Sequence, residues 1–196
     1  MDIYTAIKKE KFHFKVFLIT MFIISILLPI AIVLTNLTRI FYLSYLGVIE
    51  FLIVISIIIR LNYYKVTYRC ANNRLIFKIG IFTKESLIIC DKVAIVHTSK
   101  SDYDLEIVII TSVKFKNKSL RNVDKNFFKR YPQVESEYNY ITKLNPDNEY
   151  YFQVIRRGGL KKYLLLDIIY KNCVQAIYTE ESIQNIKIAR GQTIVE

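Results

Sequence analysis

The stretch NNRLIFKIGIFTKESLIIC, residues 72–90, is where the chain changes its period. Leu75, Phe77, Ile79 and Ile81 alternate with Arg74, Lys78 and Gly80, the two-residue repeat of a half-buried strand. The pair Asn72-Asn73 ahead of it tolerates the positive φ angles of a two-residue hairpin turn. YYKVTYRC, residues 63–70, is rich in β-branched and aromatic residues and reads as the partner strand. Gly80 inside the pattern marks a bulge or bend. The odd-numbered face is expected to pack inward, with Arg74, Lys78 and Lys84 at the surface.

On the N-terminal side the chain is almost hydrocarbon. Residues 16–38 carry no charge, and residues 40–59 carry only Glu50. At about 1.5 Å per residue either run spans the roughly 30 Å apolar core of a bilayer as a helix. The basic start (Lys8, Lys9, Lys11, Lys15) also suits a signal peptide, but the apolar run is too long and no small-residue cleavage site follows it. Residues 36–39, NLTR, leave room only for a tight helical hairpin. Four lysines precede the first run and Arg60, Lys65 and Arg69 follow the second, whereas the link has only Arg39. By the positive-inside rule both termini are cytoplasmic and the protein is a two-helix, multi-pass protein of the cell membrane.

On the C-terminal side, further strands are expected at ESLIIC, VAIVHT and LEIVIITSV, with a turn at 99–104 between the last two. Together these form an antiparallel meander. KFKNKSLRNVDKNFFKRYP suggests a short helix from Asp124 to Tyr131, stopped by Pro132. EYYFQVIRR (149–157) reads as one more strand before Gly158-Gly159. LKKYLLLDIIYKNC (160–173) is apolar nearly all round and so belongs to a buried helix. A last helix, 180–190, opens on Glu180 and Glu181 and closes on Lys187, Arg190 and Gly191.

Two membrane helices followed by Asn73-Arg74-Leu75-Ile76, then Gly80, then Asp91-Lys92-Val93 and Val96 resemble the bacterial pleckstrin-homology (PH) domain family. The similarity covers about residues 62–113. It implies a curved antiparallel sheet or partial barrel, capped by the helix at 160–173, with 114–149 as an insertion. It also implies a binding or assembly module and carries over no catalytic residue. The expected organisation is a cytoplasmic segment 1–15, a transmembrane hairpin 16–60, and a cytoplasmic α+β, PH-like domain 61–196.

The charge distribution sets the functional classes. Of the formal net charge of +11, residues 60–130 hold +9 and residues 131–196 are neutral. Lysines and arginines beside a membrane attract anionic headgroups. The candidate lipid- or anion-binding residues are Arg74, Lys78, Lys84, Lys114, Lys116, Lys118, Arg156 and Arg157. RRGGLKK (156–162) offers backbone N–H groups at a helix start, but it is not a P-loop. Aromatic residues interleave with the basic ones at 114–131, yet no RRM, KH or helix-turn-helix pattern supports nucleic acid.

Glu50 is an ionisable group inside an apolar run. It either fixes a helix pair by hydrogen bonding or serves a membrane transporter or enzyme complex of which this chain would be an accessory subunit. Cys70, Cys90 and Cys173 contain no CxxC and read as reduced, partly buried thiols. His13 and His97 lack metal-ligand spacing, and the closeness of His97, Ser99 and Asp102 in sequence does not make a triad. We therefore expect no catalysis, metal or cofactor. The partners expected are membrane lipids, or a protein, or further copies of the chain.

Overall fold

The computed structural model describes residues 2–35, 39–101, 104–115 and 117–193. Two helices come first, α1 (Ile3–Leu34) and α2 (Ile40–Tyr64). Each is long and apolar enough to cross a membrane. Almost none of either apolar stretch is buried inside the protein, which sets them apart from the core helix of a soluble domain. They pack side by side, and Ser25 Oγ donates to Glu50 Oε2 at 2.6 Å across the seam. Of the expected link, residues 36–38 lie outside the described residues.

The switch of period produces a three-stranded antiparallel sheet, β1 (Val66–Ala71), β2 (Arg74–Ile79) and β3 (Ser86–Ile89). Asn72 and Asn73 take φ values of 50° and 62°, and Ala71 pairs with Arg74, so the turn is the two-residue hairpin expected. Leu75 and Phe77 on the odd-numbered face are fully buried. Gly80 ends β2 with φ 85°, and its N–H donates to the Lys65 carbonyl. A side chain there would strike the Asn62 amide, so only glycine fits.

A second sheet has five strands in the order β6-β7-β5-β4-β8. These are β4 (Val93–Ser101), β5 (Asp104–Thr111), β6 (Arg121–Asn122), β7 (Tyr151–Ile155) and β8 (Ile177–Tyr178). From Leu105 to Thr111, β5 is buried on both faces, as its nearly unbroken apolar run demands. The meander is not wholly antiparallel: β8 joins β4 in parallel, through Ile95–Ile177 and Val96–Tyr178. The sheets do not close into a barrel.

Two cores lie on opposite faces of this second sheet. On one, Phe127, Tyr131 and Val134 meet Ile95, Val108 and Ile110 beneath α3 (Lys125–Arg130) and α4 (Glu135–Leu144). Asp124 caps α3 by accepting from Phe127 N at 2.8 Å, and Pro132 ends it. The sequence reading gave no helix at α4. On the other face, α5 (Lys161–Asn172) and α6 (Glu180–Ala189) join the first sheet around Leu165, Leu166, Ile169 and Ile186. The first turns of α1 are part of this core, for Ile3 and Ile7 belong to it and Ala6 beside them is buried.

Candidate functional site

The sheets are joined by a polar seam. Asn117 donates through Nδ2 to the Leu87 carbonyl at 3.2 Å and to Gln153 Oε1 at 2.9 Å. Gln153 Nε2 donates in turn to Ser86 Oγ at 3.0 Å. All three side chains are buried, so each needs these partners. Above the seam opens a cleft of about 300 Å³. Lys84 enters it from the turn after β2, Arg121 from β6, and Arg156 and Arg157 from the end of β7.

This cleft sits at the end of α2. Ile81 N donates to Asn62 Oδ1 at 2.8 Å, and Gly158 N donates to the Tyr63 carbonyl at 2.9 Å. The turns that supply Lys84, Arg156 and Arg157 are thereby tied to the last residues of a helix whose earlier part carries Glu50 as its single charged residue. Phe82, at the tip of the first turn, is 75% exposed.

The cleft keeps a positive charge. Arg156 Nε lies 3.2 Å from Glu106 Oε1, but Glu106 also takes Arg130 at 3.1 Å and the Tyr131 hydroxyl at 2.7 Å. Burial and then the hydrogen bond to Glu106 push the Tyr131 hydroxyl above its ordinary pKa, so it stays a donor. Lys84, Arg121 and Arg157 have no acidic partner among the described residues. Two serines, Ser86 and Ser119, add hydroxyls to the wall. Such a set suits an anion with several oxygens.

Of the residues singled out from sequence, Lys84, Arg156 and Arg157 come together here. Arg74 is exposed at the hairpin tip, and Lys78 lines a separate groove of about 220 Å³ with Arg69 and Glu85. Lys114 is exposed with its ammonium over the Tyr151 ring, and Lys118 is exposed in a turn. Lys116 lies outside the described residues. Arg121 was missed. Its strand has two residues, too few to show a period, and only its pairing with Tyr151–Phe152 of β7 brings it to the cleft.

The glycine turn at the start of α5 already holds an anion from within the chain. Leu160 N is 3.2 Å from both carboxylate oxygens of Glu10, which reaches over from α1. Gly158 and Gly159 have φ of 126° and 53°, and a Cβ on Gly159 would meet the Glu10 carboxylate at 2.5 Å. Next to them Lys162 is wholly buried, donating to the carbonyls of Leu105 and Arg156.

The other candidate groups have structural partners. His97 is buried, with Nδ1 2.9 Å from Thr179 Oγ1 and Nε2 without a partner among the described residues. Burial lowers its pKa more than the nearby Glu181 and Glu137 raise it. Asp102 lies outside the described residues. Glu50 Oε1 likewise has no partner among the described residues. The three cysteines meet in space, Cys70 and Cys90 with sulfurs 4.0 Å apart. Hydrogen bonding from Cys173 draws the Cys90 thiol down to about 7, while burial and the Cys90 charge push Cys70 up to about 11. Among the described residues no group of three or more His, Cys, Asp or Glu is placed to hold a metal ion. No protein-family model matches the chain, and no curated protein or solved structure matches it either.

Proposed function

We propose that this is an integral protein of the cell membrane whose two long helices cross the bilayer with both termini cytoplasmic. Its α+β domain, PH-like in its run of antiparallel strands followed by a helix, is a non-catalytic module that binds anionic lipid headgroups. The observation that carries this reading is the cleft. Lys84, Arg121, Arg156 and Arg157 converge from three strand ends, and the turns bearing Lys84 and the two β7 arginines are hydrogen-bonded to the end of α2. An anchor that fixes such a cleft beside the bilayer raises the local concentration of headgroups, so weak contacts suffice.

The test uses the full chain in nanodiscs of phosphatidylcholine alone or mixed with phosphatidylglycerol. Hydrogen exchange at residues 80–85 and 156–158 should slow in the anionic discs, and the effect should fade with added salt. Each juxtamembrane cation contributes about 1 kcal/mol, so Lys84→Gln, Arg121→Gln and Arg157→Gln together should weaken the interaction about a hundredfold. Equal exchange in both kinds of disc would remove lipid as the ligand and leave a protein partner.

A further inference from the structure

A second basic recess lies where the two long helices meet the domain, apart from the cleft described above. Lys11 of α1, Lys65 just past α2 and Lys161 at the start of α5 line a hollow of about 210 Å³. None of the three has an ion-pair partner among the described residues. The one acidic wall residue, Glu10, has its carboxylate on Leu160 N, which is how Lys161 comes to be held beside Lys11.

The remaining wall is apolar and aromatic. Phe14 and Tyr64 pack with ring centroids 5.2 Å apart, and Leu61 lies beside them. One turn further along, the Arg60 guanidinium lies 5.0 Å from the Phe17 ring and 5.5 Å from the Tyr64 ring. Aromatic rings with basic heads at this point are the usual furnishing of a membrane–water boundary. The depth agrees. Lys11 precedes the uncharged run that opens at Val16 by about 8 Å of helix, and Lys65 follows Ile59 by about 9 Å. That places both lysines at the outer edge of the headgroup layer, which is roughly 5–7 Å thick on one side of a bilayer.

We propose that this recess binds the phosphodiester of a bilayer glycerophospholipid. The phosphate sits among Lys11, Lys65 and Lys161, and the glycerol and first methylenes lie on Phe14, Leu61 and Tyr64. The volume equals about seven waters, enough for a phosphodiester and its glycerol, while the acyl chains continue along the two helices. Free phosphate would satisfy the lysines but leave the apolar wall wet, so the lipid is the better ligand. The lipid would also brace α1, α2 and α5, all of which line the recess.

The experiment is native mass spectrometry of the full chain in detergent, titrated with phosphatidylglycerol. The host carries Lys84→Gln, Arg121→Gln and Arg157→Gln, so the first cleft binds about a hundredfold more weakly and the two sites fail or succeed separately. A single saturable adduct is expected. Adding Lys11→Gln, Lys65→Gln and Lys161→Gln should weaken it about a hundredfold, and each change alone about fivefold. The same number of substitutions at Lys125, Lys143 and Lys187 should leave it unchanged. Unchanged thermal melting of the six-fold variant shows that folding is not the cause, and if it does not fold the single variants decide. Diacylglycerol, which lacks the phosphate, should not bind at this site. The proposal is overturned if the recess variants bind like the host, if diacylglycerol binds as well, or if inorganic phosphate displaces the lipid.

Discussion

His97 is held without its proton. It stands on β4 with Nδ1 against Thr179, and Glu181 approaches no closer than 4.0 Å. Burial dominates, so the folded-state pKa lies below the ordinary 6.5. The unfolded chain therefore binds a proton first as pH falls, and stability is full above 6.5 and declines as pH drops from 6.5 toward the folded value. Melting temperature should fall on acidification through that window, and His97→Gln should flatten the dependence. A His97→Gln protein with the same acid slope would show that other groups are responsible. At this scale the sequence was partly legible. Asn72-Asn73 and Gly80 announce their backbone angles through residue type alone. The meeting of Cys70, Cys90 and Cys173 does not, because it depends on how β1, the end of β3 and the end of α5 are stacked.

Among the elements, α5 depends most on a distant one. Its N-terminus is capped by Glu10, 150 residues earlier, and not by a neighbour in sequence. The carboxylate meets both the Leu160 N–H and the positive end of the helix dipole. Glu10→Ala should lower domain stability by about 1–2 kcal/mol, with Glu10→Gln intermediate because it keeps a hydrogen-bond acceptor and loses the charge. Thermal unfolding of the full chain followed by near-UV circular dichroism would measure it. Equal stability of all three proteins would deny the cap any weight. The signal was in the sequence, since Ile3, Ile7 and Glu10 fall on one face of a helix at spacings of four and three. Lys8, Lys9 and Lys11 between them drew the reading toward membrane topology instead. The strands β6 and β8 were out of reach for another reason, as two residues carry no periodicity.

Taken whole, the molecule does not divide where its hydropathy does. The apolar runs suggest a segment 1–15, an anchor and a domain beginning at 61, whereas the domain core includes residues from ahead of the anchor. Ile3 and Ile7 are buried as deeply as the strand residues they touch. Removing a side chain of that kind costs about 2–5 kcal/mol, so losing both approaches the entire stability of an ordinary domain. A fragment of residues 62–196 should accordingly be far more protease-sensitive than the full chain, and Ile3→Ala with Ile7→Ala should reproduce the effect in the intact protein. A fragment as resistant as the full chain would mean that α1 only rests on a self-sufficient domain.

The shared helix also sets a schedule for assembly. α1 emerges from the ribosome about 150 residues before the α5 turn that it caps. At about 5–20 residues per second, the interval is roughly eight to thirty seconds. Through that time Ile3, Ala6 and Ile7 present an apolar stripe with nothing yet to cover it. The first turns of the helix must wait for partners still to be synthesised. Depleting holding chaperones should therefore lower the yield of the protein during its synthesis more than it alters the stability of the finished domain.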